Sequence, residues 1–345
     1  MLELYDDLRK KKVMSSFFLN TAQSRLEGKL EKYPLLKLDQ VLDWKNISDL
    51  LYKTKAGQIN LSKSSGYDLL KMFKAVLLGQ WHSLSDPELE RSLLVRIDFI
   101  LFCNFDDTEI PDETTLCRYR NWLEKSNLMP KLLGHVNAQL QKHKLQVKEA
   151  KTAIVDASII STAGSKQPKN PIVNEDGEVT DPPKSKDEDA KWVKKGAHFY
   201  LGYKLHAMTD DKGYFKGGYV TAANEHESKH LRDLISPLDE GVRVQADKGY
   251  AGYANRTLIK DFKLKDGIMH KAKPGKKLRP SQNKFNRLIK KTRYVVEQSF
   301  GTMKRIFNFY RASYFSKEKV QAQSIFKMIC VNLLKAANMV SLSRV

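Results

Sequence analysis

Cysteine is scarce and scattered: Cys103, Cys117 and Cys330 lie far apart, and no C-x-x-C pair exists. One of the three is necessarily odd. The pattern excludes a disulfide framework and a thiolate-built zinc cluster, and it suits a reducing compartment. Long apolar runs are missing too; no stretch approaches the ~18 residues that a membrane-spanning helix needs. The opening MLELYDDLRKKK mixes acids and bases with no apolar run behind it, so no signal peptide is expected. Acids themselves are scarce in one place. Residues 241–345 hold 24 Lys and Arg but only 5 Asp and Glu.

What is present rules out wholesale disorder, because 41% of the 345 residues are hydrophobic and 10% are aromatic. The formal net charge is +20, distributed as +3 over residues 1–150, −2 over 151–240 and +19 over 241–345. A long one-signed segment makes a large positive field, for which nucleic acid is the natural intracellular partner; a solvated face is the bland alternative. Between Asp266 and Glu318 stand fourteen bases and a single acid, Glu297. That carboxylate is either a helical partner of Arg293 or a ligand for a metal ion beside a phosphate.

Residues 1–150 read as an all-helical N-terminal domain. Helices are predicted over 67–78 with Gly79 near the end, over 83–94 capped by Ser85 or Asp86, over 111–126 capped by Asp112, and over about 130–144. Short helices joined by tight turns suit a helix-turn-helix DNA reader with Arg118, Arg120 and Asn121 as contacts, or an ordinary helical bundle. Strand signals begin at 151. A β-branched strand spans 152–160, and 161–198 reads as a long polar loop. A β-hairpin follows over 199–224, then a helix near 230–238, a strand over 242–247, a short strand over 267–272, a helix over 283–304 and an apolar helix over 322–339. This order gives an α/β domain over 151–310, a mixed β-sheet flanked by helices, and a C-terminal helical segment over 311–345.

Asp156 falls in mid-strand, where an aspartate needs a partner, and Asp247 ends its strand, where ligand sites of open α/β sheets gather. Arg293, Glu297 and Lys304 fall within ~40° of one another on a helix. Three carboxylates from two strands and a helix suit two-metal phosphoryl transfer by Mg²⁺, with Mn²⁺ able to substitute. A charged solvent face is the alternative for the helix.

The chain resembles the bacterial insertion-sequence DDE transposases, of the groups numbered four and five and closest to five. YDLLKMFKAVLLGQWHSLSDPELERSL, PDETTLCRYRNWL, IVDASII, DEDAKWVKKG, GYKLHAMTD, ADKGY and RYVVEQSFGTMKR carry the resemblance, from about residue 60 onward. The family's Y-x₂-R-x₃-E-x₆-K signature maps onto Arg293, Glu297 and Lys304, with Lys290 standing where the signature has Tyr. Such a lysine keeps a charge contact to a flanking phosphate and lacks the aromatic one. The resemblance implies an RNase H-like catalytic domain with Asp156, Asp247 and Glu297 as metal-holding triad. It implies nicking at the element's ends, then attack of the freed 3′-hydroxyl on target DNA. The partners it implies are double-stranded DNA, as terminal inverted repeats and target, and a second copy in a homodimeric synaptic complex. A cytoplasmic, nucleoid-associated location goes with them.

Lys248 and Tyr250 closely follow Asp247 and are expected as phosphate neighbours, and Trp192 as a DNA contact from the long loop. His206 and His226 read as structural or DNA-adjacent, since a histidine-rich site favours zinc. Two other function classes fit the same residues: a structure-specific nuclease or resolvase, and a non-catalytic DNA-binding protein derived from a transposase.

Overall fold

A computed structural model of the chain describes residues 24, 26, 28–39, 41–58, 66–105, 110–146, 151–164, 172–173, 179–180 and 185–340. Helices come first: α1 (Pro34–Asp39), α2 (Lys45–Gln58), α3 (Leu69–His82), α4 (Asp86–Val95), α5 (Ile97–Cys103), α6 (Glu113–Lys125) and α7 (Met129–Lys142). Their starts follow from side-chain caps. Asp68 accepts the backbone N–H groups of Leu70 and Lys71, both at 2.9 Å, and Asp112 accepts that of Thr115 at 2.7 Å. At α4 Glu88 accepts from the backbone N–H of Ser85 at 2.8 Å, and Pro87 sits in the first turn. Gly79 does not stop α3. The helix continues to His82 and ends on left-handed Ser83, while a Cβ at Gly79 would lie 2.9 Å from Leu89 of α4. The glycine is there for close helix packing.

The remaining elements are β1 (Thr152–Ser161), β2 (Ile172–Val173), β3 (Val179–Thr180), β4 (Lys191–Lys195), β5 (His198–Thr209), β6 (Phe215–Ala222), α8 (Leu231–Ile235), β7 (Arg243–Ala246), α9 (Tyr253–Asp261), β8 (Lys265–Ile268), α10 (Pro280–Arg305) and α11 (Lys317–Ala337). β1 is the central strand of a mixed sheet, antiparallel to β5 on one side and parallel to β7 on the other; β8 extends the sheet parallel to β7. β4 and β6 share the outer edge of β5 end to end, with β4 along its first residues and β6 along the rest. The segment expected as one polar loop over 161–198 therefore contributes strand. β2 pairs with β3, and β4 places Trp192 half-buried against the core instead of on a free loop. β8 begins two residues earlier than expected.

The sheet is covered on both faces. Ala153, Val155, Val244 and Ala246 face one layer, with Leu231 and Ile235 of α8 and Leu258 and Ile259 of α9. Ile154 and Ile160 face the other, a core that continues without a break through α10, α11 and the N-terminal helices. α11 packs against β6, α10, α1, α3, α6 and α7, so it is a central element and not an appended segment. No helix among the described residues is long and apolar enough to cross a membrane. The cysteines are free thiols, with Cys103 and Cys330 buried.

Candidate active site

The register of the two central strands brings the aspartates together. Thr152 pairs with Arg243 and Ile154 with Gln245, so carrying the parallel register on by one more same-face pair sets Asp156 beside Asp247. Neighbouring strands run about 4.8 Å apart, and residues in register share a face. Asp247 lies just past the end of β7 and accepts the backbone N–H of Gly249 at 2.7 Å, opening a short 3₁₀ turn, Lys248–Tyr250.

α10 crosses this strand end. Thr292 Oγ1 donates to Gln245 Oε1 at 2.5 Å, Arg293 reaches Asp156 Oδ1 at 3.1 Å, and Lys304 Nζ donates to the carbonyl of Ile159 at 3.0 Å. The helix is seated by a stripe of buried residues: Ile289, Arg293, Val296, Phe300 and Met303. Ser299 fastens it to the turn between β5 and β6 by donating to the carbonyl of Gly213 at 2.7 Å. Gly213 has φ +79°, and a Cβ there would stand 2.6 Å from that hydroxyl, so this contact requires glycine. Glu297 sits one turn beyond Arg293 on the side of the helix bounded by the Asp156 and Ile159 contacts, and it is exposed.

Electrostatics mark Asp156 as the unusual group. Burial pushes its carboxyl up from 3.8 to about 6, against the pull of Arg293 and of the Ala157 backbone N–H; the negative charges of Asp247 and Glu227 add to the rise. Arg293 is itself buried, and its Nε has no hydrogen-bond partner. Glu227, from the turn after β6, is the acid that inspection of motifs did not single out. It has the charge of Lys204 3.6 Å away and faces the same Lys248–Tyr250 turn.

The expected DNA contacts divide into two kinds. Lys248, Lys290 and Arg118 are exposed. Tyr250, expected beside a phosphate, is fully buried among Val155, Val244 and Leu258, and its hydroxyl has no partner. Being three residues from Asp247 in sequence did not carry its side chain to the surface. Arg293 and Lys304 each direct one contact to β1, at Asp156 and at the Ile159 carbonyl. Arg120 forms an ion pair with Asp86 and lies 4.2 Å over the ring of Tyr314, so it joins α4 and α6 to the segment before α11. Asn121 is half-buried, its amide directed at Cys117 Sγ at 3.6 Å. His206 is buried, hydrogen-bonded to Thr221 at 2.9 Å and packed against the tilted ring of His230, and burial lowers it to about 3, which favours the neutral ring. His226 is exposed, with its ring nitrogen on Ser228.

The donor chemistry suits a hard divalent cation, because carboxylate oxygens of Asp156 and Asp247 come from adjoining strands. As they stand, no three His, Cys, Asp or Glu side chains among the described residues are grouped closely enough to hold a metal ion. Asp156 is engaged by Arg293 and Asp247 by its own turn.

Residues 148–333 match the family model described as Transposase DDE domain, and residues 24–122 match Transposase domain (DUF772). The chain belongs to the DDE transposase family. It is 43% identical over 294 residues to the transposase for insertion sequence element IS1106 of Neisseria meningitidis serogroup B, covering 84% of this chain and 96% of that one. A solved structure, the piggyBac transposase synaptic complex with hairpin DNA, covers 89% of this chain and 75% of its own at 12% identity, with a TM-score of 0.44. The transposase is thus an enzyme of insertion-sequence type, with the RNase H-like arrangement of its family on a mixed sheet flanked by helices. Enzymes of this family act on DNA and use divalent metal ions.

Proposed function

We propose that this transposase recognises the terminal inverted repeats of its own insertion sequence, hydrolyses the phosphodiester at each end, and joins the freed 3′ ends to target DNA. The reading is supported above all by the position of Asp156, in the middle of β1, beside Asp247 at the end of β7 and in contact with Arg293 of α10. Glu297 completes the triad from the helix. Together the three carboxylates would hold Mg²⁺, or Mn²⁺ in its place. A divalent ion bound there supplies Lewis-acid stabilisation of charge on the attacking and leaving oxygens.

The chain's own residues supply the rest. Water attacks the phosphorus at the element boundary and the 3′ oxygen leaves, taking a proton to become a hydroxyl. That 3′-hydroxyl then attacks a phosphorus of the target, and the target's 3′ oxygen leaves in turn. Lys248, Lys290 and Lys304 border the strand end and neutralise flanking phosphates, and Arg118 contributes from α6. Arg293 serves a phosphate once Asp156 has a metal partner in place of the guanidinium. The spacing of Arg293, Glu297 and Lys304 supports a reading within insertion-sequence groups four and five, nearest to five. Holding two element ends at once makes a homodimer the smallest competent assembly.

The test is incubation of the protein with duplexes carrying the terminal repeats, unrelated target DNA and Mg²⁺, with products resolved on a sequencing gel. Nicks at the element boundary and joined strands are expected. Nicks without joined strands would make the protein a nuclease, and binding without nicks a DNA-binding protein only.

A further inference from the structure

Glu227 lies where neither the motif spacing nor the family triad calls for an acid. It begins the 3₁₀ turn Glu227–His230, which packs against the turn Lys248–Tyr250. A Cβ built on Gly249 would stand 2.9 Å from Asp247 Oδ1 and 3.3 Å from Glu227 Oε2. The two carboxylate oxygens therefore face each other across a gap no wider than those distances added together, and the gap exists because residue 249 has no side chain. Gly249 is not among the residues with positive φ, so the backbone does not ask for glycine there. Space does.

Two further observations bear on this gap. Tyr250, the residue after Gly249, is fully buried with its hydroxyl unpartnered, and the negative charges of Asp156, Glu227 and Asp247 act on that hydroxyl against the positive charge of Arg293. A buried hydroxyl without a partner is a costly arrangement that a ligand or a water held by one can satisfy. The other carboxylate oxygen of Glu227 has Lys204 Nζ at 3.6 Å. Lys204 is buried, and its ammonium also donates to the carbonyl of Glu225 at 2.5 Å, so the charge that orients Glu227 is fixed to its own loop.

We propose that Glu227 is a fourth carboxylate of the catalytic centre, sharing with Asp247 a divalent cation in the gap that Gly249 leaves open. The inference rests on Asp247 being a metal ligand, as proposed above. Ligand oxygens of one Mg²⁺ lie at most about 4 Å apart, since each bond is about 2.0–2.1 Å. The proposal requires the Glu227 side chain to turn until its oxygen reaches that separation from Asp247. A cation there would gain a second negative charge from the turn after β6. Asp156 and Glu297 are then free to serve the ion nearer the helix.

Mn²⁺ binding to the full chain without DNA tests this, with free Mn²⁺ read by electron paramagnetic resonance and folding checked by thermal melting. Asp247→Asn should lose the site, Glu227→Gln should bind roughly tenfold or more weakly, and Glu227→Asp should fall between Glu227→Gln and the parent. Glu225→Gln, an exposed neighbour, should match the parent. If Asp247→Asn loses binding while Glu227→Gln titrates like the parent, this inference fails and the metal reading of Asp247 stands. If Asp247→Asn also titrates like the parent, both fail. A second readout needs no variant. Fe²⁺ loaded into the parent protein with ascorbate and peroxide should cut the backbone at 225–229 as well as near 156 and 247. Cuts near 156 and 247 with none at 225–229 would overturn the proposal.

Discussion

α10 and α11 are consecutive long helices of 26 and 21 residues, and they solve opposite problems. α10 buries one stripe and leaves Lys284, Arg287, Lys290, Lys291 and Glu297 exposed, so its sequence keeps a strong charge pattern. α11 is buried nearly all round from Val320 to Ala337, and its polar residues are consumed internally. Asn332 accepts from the Phe215 N–H at 2.8 Å and donates to the Phe215 carbonyl at 2.8 Å and to Asn137 at 2.7 Å. Lys327 donates to the Gln80 carbonyl at 2.5 Å and to Ser83 at 3.1 Å. One helix offers its charges outward; the other spends its polar groups holding the two halves of the chain together. Substitutions should therefore separate cleanly into losses of chemistry and losses of fold.

The largest effect belongs to α10. Glu297→Ala should slow strand cleavage by roughly 10²–10³-fold or more, the scale on which one preorganised electrostatic group matters. Its melting temperature should equal that of the parent. A cleavage rate near the parent's would remove Glu297 from the triad. Next comes α11: Asn332→Ala strands the Phe215 amide and the Asn137 carbonyl in the core, and should cost about 2–4 kcal/mol in denaturant unfolding while Mn²⁺ affinity of the folded protein is unchanged.

Lys327 sharpens the contrast through pH. Burial lowers its ammonium from 10.5 to about 8, so above pH 8 the folded protein holds it neutral while the unfolded chain still binds the proton. Stability from this group is therefore present at high pH and lost as pH falls through about 8. It should add about 1 kcal/mol between pH 7 and pH 9, and Lys327→Met should lack that rise. The smallest effect is Lys290→Ala. It should weaken duplex binding less than tenfold and reduce the slope of log affinity against log salt by about one. A slope equal to the parent's would show that Lys290 touches no phosphate.

Legibility from sequence followed the range of the forces involved. Caps act within about four residues, so Ser85 and Asp112 could be read where they stand, whereas Asp68 fell inside the helix expected over 67–78 and is its cap. Asp156 and Asp247 were legible because a carboxylate within or at the end of an apolar strand is conspicuous. β4 was not, because KWVKK shows only two apolar residues and its pairing with β5 is set by the partner's long edge. Glu227 lies in a polar turn, where an acid draws no notice until a second turn is folded against it. Tyr250 failed for a related reason: closeness along the chain says nothing of which side of the sheet a ring enters. Arg118 and Arg120 looked alike on α6, and the positions of Asp86 on α4 and of Tyr314, nearly two hundred residues on, distinguish the exposed one from the clamped one. The helical character of α11 was evident, but its place at the centre depends on contacts with elements from α1 to α10.

That place bears on how the molecule assembles. Along the chain α11 follows every other described element, yet α1, α3, α7 and β6 all need its surface to close their own. Contacts between elements so distant in sequence close long loops, which is costly in chain entropy and slows their formation. The core that runs from β1 through the N-terminal helices is therefore complete only when α11 docks.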